Sequence, residues 1–249
     1  MLLAAVAVAG CSSCQPWVTE ERLDKGLVIV LPGVEGRSMF NDAICAGLDA
    51  GGVDCAIETD DWTSPLGPLA TLGDEQRNRA QAERIAERIV EYQQAYPDRP
   101  VVLVGQSGGA AMAPWVAEAL PDATMIDGMV LIAPALSPWY PLTEALGRSR
   151  RGIVSFHSEM DWLFLGVGTS LLGTMDGERL ESAGKVGFVT PLARDEAAYE
   201  KLYQVPWNRS MARNGHLGCH VTSGSLSFVK KRVAPLVLSD DWAEQTAAE

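Results

Sequence analysis

The chain has 249 residues, of which 47% are hydrophobic and 21% charged, a composition typical of one folded globular domain and unlike that of a disordered protein. Its 20 Lys and Arg against 32 Asp and Glu give a formal net charge of −12. Because nucleic acids and anionic membranes are bound by clustered basic side chains, this excess of negative charge argues against both as partners recognised by charge. Beyond the N-terminal segment, no apolar run reaches the roughly 18 residues that a membrane-spanning helix needs.

The N-terminal segment has the features of an export signal. Residues 1–10 are almost wholly apolar and too short to span a membrane. Val8-Ala9-Gly10-Cys11 resembles the lipobox of bacterial lipoproteins, in which a cysteine after small residues is lipidated and becomes the mature N-terminus. We therefore expect an exported protein, anchored to a membrane through Cys11 and facing the periplasm or the cell exterior, with 11–26 as a tether. Because no Lys or Arg precedes the apolar run, a plain signal peptide or an upstream start codon is the alternative.

Export would permit disulfide bonds between the remaining cysteines, which are Cys14, Cys45, Cys55 and Cys219. Four cysteines can pair in three ways. Cys45 and Cys55 are close enough in sequence to form one bridge, but the sequence leaves the connectivity open. No Cys-x-x-Cys pair accompanies a His cluster, so a structural zinc site is not expected.

Four short apolar runs rich in β-branched residues recur between helical stretches, at 27–31, 101–104, 129–132 and 153–156. Their apolarity is continuous rather than alternating, which is typical of strands buried on both faces of a parallel sheet covered by helices. Strands that alternate with helices predict an α/β fold with right-handed crossovers. We expect this domain to span 27–238 and to be followed by a frayed acidic tail over 239–249.

Three helices are predicted between or after these strands. The longest covers 74–96, with Asp74 as N-cap. Its apolar residues recur at the spacing of one buried face, namely Ile85, Ile89, Tyr92 and Tyr96. A second helix should follow Gly109 and run to about Leu120, where Pro121 ends it. The last covers 225–238, where Pro235 should kink or shorten it, and it places on one face Leu226, Val229 and Val233.

The strand 101–104 is followed directly by Gly105-Gln106-Ser107-Gly108-Gly109 and then by a predicted helix. This is a G-x-S-x-G pattern in the strand–turn–helix context that gives it meaning. A serine on so tight a turn needs small neighbours, because the strained backbone crowds adjacent elements. The turn would lift the hydroxyl to the positive end of the helix, so Ser107 is the candidate nucleophile. A Gly-rich structural turn is the alternative.

With this motif, the chain from about 27 to 238 resembles the α/β-hydrolase family. The resemblance implies a mostly parallel sheet with helices on both faces, and a catalytic order of Ser, acid and His on loops that follow the strands. Only about 15 residues separate Cys11 from the first buried strand. This is too few for the opening pair of strands usual in the family, so we expect the sheet to begin at or just before 27–31.

The family order assigns the acid to the loop after the strand 153–156. Asp161 has the expected position, a few residues past that strand, and would accept the imidazole N–H and stabilise the imidazolium. Glu159 is the nearby rival. A solvated loop carboxylate or a helix cap is the structural alternative for Asp161.

The chain contains three histidines that could act as the base. His216 lies in Asn214-Gly215-His216-Leu217-Gly218, which is similar to the Gly-His-x-Gly loop of several hydrolase branches, and is therefore the expected base. His220 is closer to the last helix and is the alternative. His157 ends a buried run and is expected to satisfy a local hydrogen bond.

The loop Leu31-Pro32-Gly33-Val34-Glu35-Gly36 follows the first strand, where the family often has His-Gly and this chain has Pro32 in place of that His. Because oxyanion donors are backbone N–H groups, the resemblance assigns them to Val34 and Gly108. An ordinary glycine turn is the alternative. The implied chemistry is acyl transfer through an acyl-enzyme on Ser107, which requires no metal or organic cofactor.

Two stretches, 62–73 and 162–191, do not fit the minimal set of strands and helices. With Trp139 and Tyr140 they could form a cap or pocket wall, and core packing under a loop is the alternative. Apolar walls favour an acyl or aromatic ester over a sugar or a phosphate. The sequence thus predicts a serine esterase or lipase-like hydrolase acting on a small acyl substrate. The alternatives are a catalytically inactive hydrolase-like surface lipoprotein, and an acyltransferase in which an alcohol replaces water.

Overall fold

The computed structural model of the protein describes residues 15–161, 174–178, 181–190 and 196–247. In these residues one six-stranded, all-parallel sheet has the order β2-β1-β3-β4-β5-β6. Its strands are β1 (Leu27–Leu31), β2 (Ala56–Thr59), β3 (Val101–Gln106), β4 (Gly128–Ile132), β5 (Ile153–His157) and β6 (Leu202–Pro206). The predicted parallel α/β fold is confirmed, and the first described strand begins at Leu27 as expected.

Helices cover both faces of this sheet. In chain order they are α1 (Glu20–Leu23), α2 (Met39–Ala50), α3 (Pro68–Gly73), α4 (Glu75–Ala95), α5 (Gly108–Glu118), α6 (Thr143–Gly147), α7 (Ala183–Val186), α8 (Glu196–Tyr199), α9 (Arg209–Ala212), α10 (Leu226–Phe228), α11 (Ala234–Leu238) and α12 (Trp242–Ala247). Helices α4, α5 and α6 bury their apolar residues in the core on one face of the sheet. Helices α2, α11 and α12 do so on the other face. The continuous apolarity of the inner strands follows from this double cover.

The edge strands β2 and β6 were not predicted, because neither is continuously apolar. Glu58 of β2 forms an ion pair with Arg88, with 3.1 Å between the charged atoms. In β6, Gln204 accepts the backbone N–H of Phe188 at 2.6 Å and donates to its carbonyl at 2.9 Å. Edge strands are covered less completely than inner ones, so polar side chains such as these can be accommodated there.

The prediction of the longest helix is confirmed, and the Asp74 side chain accepts the N–H of Arg77 as its N-cap. The last predicted helix is interrupted, because α10 passes through a π-helical turn (Val229–Val233) into α11. The interruption has a simple cause, since Pro235 lacks the N–H that would bond a carbonyl in the preceding turn. The shared face predicted for this helix was wrong at Leu226, which is 43% exposed.

Part of the C-terminal segment is helical and packs on the sheet. The expected frayed tail forms α12, where Trp242 is fully buried and its Nε1 donates to the Leu236 carbonyl at 2.7 Å. The indole packs so closely on Gly128 that a Cβ there would overlap it. At the other end of the chain, Gln15 of the expected tether accepts the backbone N–H of Thr59 at 2.6 Å.

The cysteines that the structure describes are free thiols. The possible bridge between Cys45 and Cys55 is not formed, and Cys219 also takes part in no disulfide. Cys45 is buried, with its Sγ 3.2 Å from the hydroxyl of Thr59. The predicted lipobox, including Cys11, lies outside the described residues, as does Cys14. Within the described ranges, no helix has the length and apolarity to cross a membrane.

Candidate active site

Ser107 occupies the sharp turn that the glycine pattern predicted between β3 and α5. Its backbone has φ 57° and ψ −119°, a strained conformation for a residue with a side chain. An ideal Cβ on Gly105 would lie 2.7 Å from the Cα of Ala110, and one on Gly109 would lie 2.5 Å from the Pro32 carbonyl oxygen. Only glycine fits these two positions, so the flanking residues allow β1, β3 and α5 to approach closely enough to hold the turn.

This turn lies where the sheet order reverses. The chain passes from β1 outward to β2 and then returns to the other side of β1 to form β3. Ligands of open parallel sheets bind outside the carboxyl ends of the strands at such a switch point. Ser107 follows β3, and the loop with Val34 follows β1, so both flank this crevice.

Asp161 is paired with His220. Its Oδ2 lies 3.0 Å from Nδ1 of His220, across 59 residues of sequence. The carboxylate lies in a turn after β5, in which the Asp161 N–H donates to the Ser158 carbonyl at 2.8 Å. Asp161 is 6% exposed, and its second oxygen, Oδ1, has no partner among the described residues. The rival Glu159 is exposed and takes no part in this pair.

Asp161 is hydrogen-bonded to His220, which was the alternative base, and not to His216, which was the expected one. The Nδ1 of His216 accepts the backbone N–H of Gly218 at 3.3 Å, so this nitrogen is not available to donate to a carboxylate. The His216 ring packs edge-on against Phe228, with 4.9 Å between the ring centres. Burial lowers the pKa of His216 to about 4, an effect that nearby Asp161 opposes and His220 reinforces. His216 is therefore a neutral core residue at pH 7.

His220 begins a 3₁₀ turn (His220–Thr222) at the carboxyl edge of the sheet, and its side chain is 14% exposed. Its backbone carbonyl accepts the hydroxyl of Ser223 at 2.7 Å. Ser223 in turn accepts a bond from Nε2 of Gln106, the residue before Ser107, at 3.5 Å. The loop that carries His220 is thereby joined to the strand that carries Ser107.

The expected oxyanion donors lie side by side. An ideal Cβ on Gly108 would lie 3.3 Å from the backbone N of Val34 and 2.7 Å from its Cγ1. Gly108 begins α5, and its N–H is one of those that a helix leaves without an intrahelical acceptor. Among the described residues, the Val34 N–H donates to no backbone carbonyl. Two N–H groups without backbone acceptors, placed beside a strained serine, can stabilise an oxyanion.

The third histidine, His157, makes no hydrogen bond to Ser107, Asp161 or His220 among the described residues. His157 ends β5, where the backbone of Ser155 interacts with its ring, in line with the expected local hydrogen bond. Burial lowers its pKa. No group of three or more His, Cys, Asp or Glu side chains within the described ranges is arranged to hold a metal ion.

The predicted pocket wall is only partly described, because 162–173 lie outside the described residues. Trp62 is fully buried beneath the loop that follows β1, where it bonds the Pro32 carbonyl, rather than lining a pocket. Trp139 is 69% exposed, whereas the Tyr140 hydroxyl donates to Glu118 at 2.8 Å. Sequence reasoning missed the contact between Trp62 and Pro32, since a lone indole carries no sequence signal for its acceptor.

No family model matches the chain, and no curated protein matches it in sequence. Solved structures do resemble it. The poly(3-hydroxybutyrate) depolymerase LpqC from Bordetella parapertussis is 14% identical, with a TM-score of 0.52 over 91% of this chain and 84% of that one. TT1662 from Thermus thermophilus is 15% identical, with a TM-score of 0.50 over 90% of both chains.

Lipase B from Aspergillus fumigatus is 14% identical, with a TM-score of 0.50 over 87% of this chain. The matched region spans only 53% of the lipase, about half of its length. At such low identity these similarities concern the fold and not the activity. Together with the parallel sheet and its helices, they show that the chain has the α/β-hydrolase fold.

Proposed function

We propose that the protein is a serine hydrolase that cleaves carboxylic esters, with Ser107 as nucleophile, His220 as base and Asp161 as acid. The pairing of Asp161 with His220, at the sheet edge where Ser107 stands on its strained turn, is the observation that carries the proposal. A carboxylate, an imidazole and a serine in this order are the components of a hydrolytic triad. An inactive protein of the same fold would not require all three.

The mechanism has two steps. His220 takes the Ser107 proton while the hydroxyl oxygen attacks the ester carbonyl, and Asp161 accepts the Nδ1–H and stabilises the imidazolium. The negative charge on the carbonyl oxygen is stabilised by the N–H groups of Val34 and Gly108. The imidazolium then protonates the leaving alcohol, and an acyl-enzyme remains on Ser107. Water activated by His220 releases the acid and restores the serine.

The surroundings of the site support an ester with an apolar acyl or alcohol part. Exposed apolar side chains lie in the segments that follow the carboxyl ends of four strands, namely Leu66, Leu69, Trp139, Met160 and Leu217. Two of the comparison proteins have names that specify a substrate class, one a lipase and the other a poly(3-hydroxybutyrate) depolymerase. Because the carboxyl ends of parallel strands meet at one edge of the sheet, these segments share that edge with Ser107, and apolar side chains there favour such substrates over sugars or phosphates.

The test is hydrolysis of p-nitrophenyl esters of increasing acyl length, combined with labelling by a fluorophosphonate probe. We expect both reactions in the native protein and neither in Ser107→Ala, whose circular dichroism spectrum and thermal unfolding should match those of the native protein. Loss of a triad serine lowers kcat by about 10⁶-fold in well-studied hydrolases. Ester hydrolysis that persists in a purified Ser107→Ala variant would refute the assignment. A native protein inert in both assays would favour the inactive alternative.

We also propose export and lipid anchoring through Cys11. The support is the apolar segment 1–10 and the small residues before Cys11. Mass spectrometry of the mature protein from a bacterial host should show an N-terminal cysteine with acyl chains. Detection of an unmodified Cys11 in the membrane-extracted protein would contradict this proposal.

A further inference from the structure

We propose that Trp62 is a positioning residue of the oxyanion hole, which it supports from the core side through its indole ring. This role rests on the proposed hydrolase function. Trp62 itself touches no substrate, because its side chain is fully buried.

The indole contacts both chain segments that supply the proposed oxyanion donors. Its Nε1 donates to the carbonyl of Pro32 at 2.9 Å, two residues before Val34. On the other segment, its Cζ2 lies 3.3 Å from the ideal Cβ position of Gly108, so the ring edge packs directly on this glycine. One rigid side chain therefore sets the separation of the two donor segments.

Trp62 is in turn held by the helix α4. Arg77, in the first turn of α4, donates to the carbonyl of Trp62 at 2.9 Å and to that of Thr63 at 2.5 Å. The first turn of this helix is capped by the Asp74 side chain. The connection that carries Trp62 is therefore fixed at its backbone as well as at its indole.

This support matters because the donor loop contains Gly33, between Pro32 and Val34. A glycine allows the following peptide to rotate through conformations that other residues exclude. The bond from Trp62 fixes the peptide before Gly33, and the Gly33 carbonyl, in the peptide that carries the Val34 N–H, accepts the N–H of Gly36 at 3.0 Å. The peptides on both sides of the glycine are therefore held, and loss of the Trp62 bond would release one of them. Oxyanion donors contribute most when they are oriented before the charge develops, and a misplacement of about 1 Å can cost about 10²-fold in rate.

The chain offers a matched control for the test. Trp62 and Trp242 are both fully buried, and each indole donates to a backbone carbonyl, at 2.9 Å to Pro32 and at 2.7 Å to Leu236. Trp242 packs on Gly128 at the start of β4, at the edge of the sheet opposite to the candidate site. Trp62→Phe and Trp242→Phe thus remove the same chemical group from two similar environments.

We expect both variants to unfold at a lower urea concentration than the native protein. Only Trp62→Phe should lower kcat for a p-nitrophenyl ester, by about 10- to 100-fold, with KM changed less than about threefold. Its rate of fluorophosphonate labelling should fall in parallel, because the phosphonyl oxygen uses the same donors. The pH dependence of kcat/KM should stay unchanged, since His220 and Asp161 are untouched.

A second variant, Arg77→Gln, keeps the indole but releases the backbone of Trp62, and should give a smaller fall in kcat with the same unchanged KM. If Trp62→Phe does not fold, the kcat of Arg77→Gln tests the inference in its place. Equal kcat in Trp62→Phe and Trp242→Phe, or a change confined to KM, would overturn the inference. A native protein without esterase activity would instead overturn the proposed function on which the inference rests.

Discussion

Gln106, the residue before the candidate nucleophile, donates from Nε2 to the hydroxyl of Ser223 at 3.5 Å, across 117 residues of sequence. The Ser223 hydroxyl in turn donates to the backbone carbonyl of His220 at 2.7 Å. Both side chains of the Gln106–Ser223 pair are buried. The bond thereby ties the strand of the nucleophile to the loop of the candidate base.

Ser223→Ala should therefore loosen His220 relative to Ser107. We expect kcat to fall about tenfold, equivalent to roughly 1.4 kcal/mol, with little change in KM. Ser225→Ala is the matched control, because the Ser225 hydroxyl is buried but has no hydrogen-bond partner among the described residues. Steady-state kinetics on both variants decide the question. A similar fall in kcat in Ser225→Ala would mean that loss of any side-chain oxygen in this loop lowers activity, whether or not it is hydrogen-bonded.

The identity of the base can be tested by substituting His216 and His220 one at a time. His220→Gln should lower kcat by at least about 10³-fold, because the proton acceptor for Ser107 is lost. His216→Gln should retain activity within about tenfold, because the His216 ring packs in the core against Phe228. The reverse outcome, loss of activity only in His216→Gln, would restore the prediction made from the Gly-His-x-Gly pattern.

The carboxylates after β5 make a second comparison. Asp161→Asn keeps the size of the side chain but removes the charge that stabilises the His220 imidazolium, and should lower kcat by about 10⁴-fold. Glu159→Gln, two residues earlier and exposed, should change kcat by less than about twofold. The kinetics of both variants at neutral pH give the answer. Comparable losses would indicate that the loop as a whole, rather than the Asp161–His220 pair, is required.

Burial of His216 predicts a pH dependence of stability. The pKa of His216 is lowered from 6.5 to about 4 in the folded protein. Below pH 6.5 the unfolded chain therefore binds a proton that the folded state excludes, so stability is lost as the pH falls from 6.5 towards 4 and is fully present above 6.5. Over that range the free energy of unfolding of the native protein should fall by roughly 2–3 kcal/mol more than that of His216→Gln.

Urea unfolding at about pH 7.5 and about pH 4.5 measures this difference within each protein, so a lower overall stability of the variant does not affect it. The other titrating groups are common to both proteins and largely cancel. An identical pH dependence in the two proteins would mean that His216 takes up its proton in the folded state as readily as in the unfolded one.

The inner sheet and the nucleophile turn could be predicted from the order of residues alone. Continuous apolarity marks β1, β3, β4 and β5 because these strands are covered on both faces, and this requirement acts on each strand separately. The two edge strands lack that pattern. Gly105 and Gly109 are likewise required by sterics close to Ser107, so five consecutive residues predicted the turn.

Which histidine meets Asp161 could be seen only in the folded chain. His216 and His220 are four residues apart in one loop, and no local pattern states that the first turns into the core while the second turns towards β5. The orientation of His216 is set by its packing against Phe228, and that of His220 by its hydrogen bond to Asp161, 59 residues away. The support of the Pro32 carbonyl by Trp62 has the same origin, because both depend on contacts that form only when distant segments are packed together.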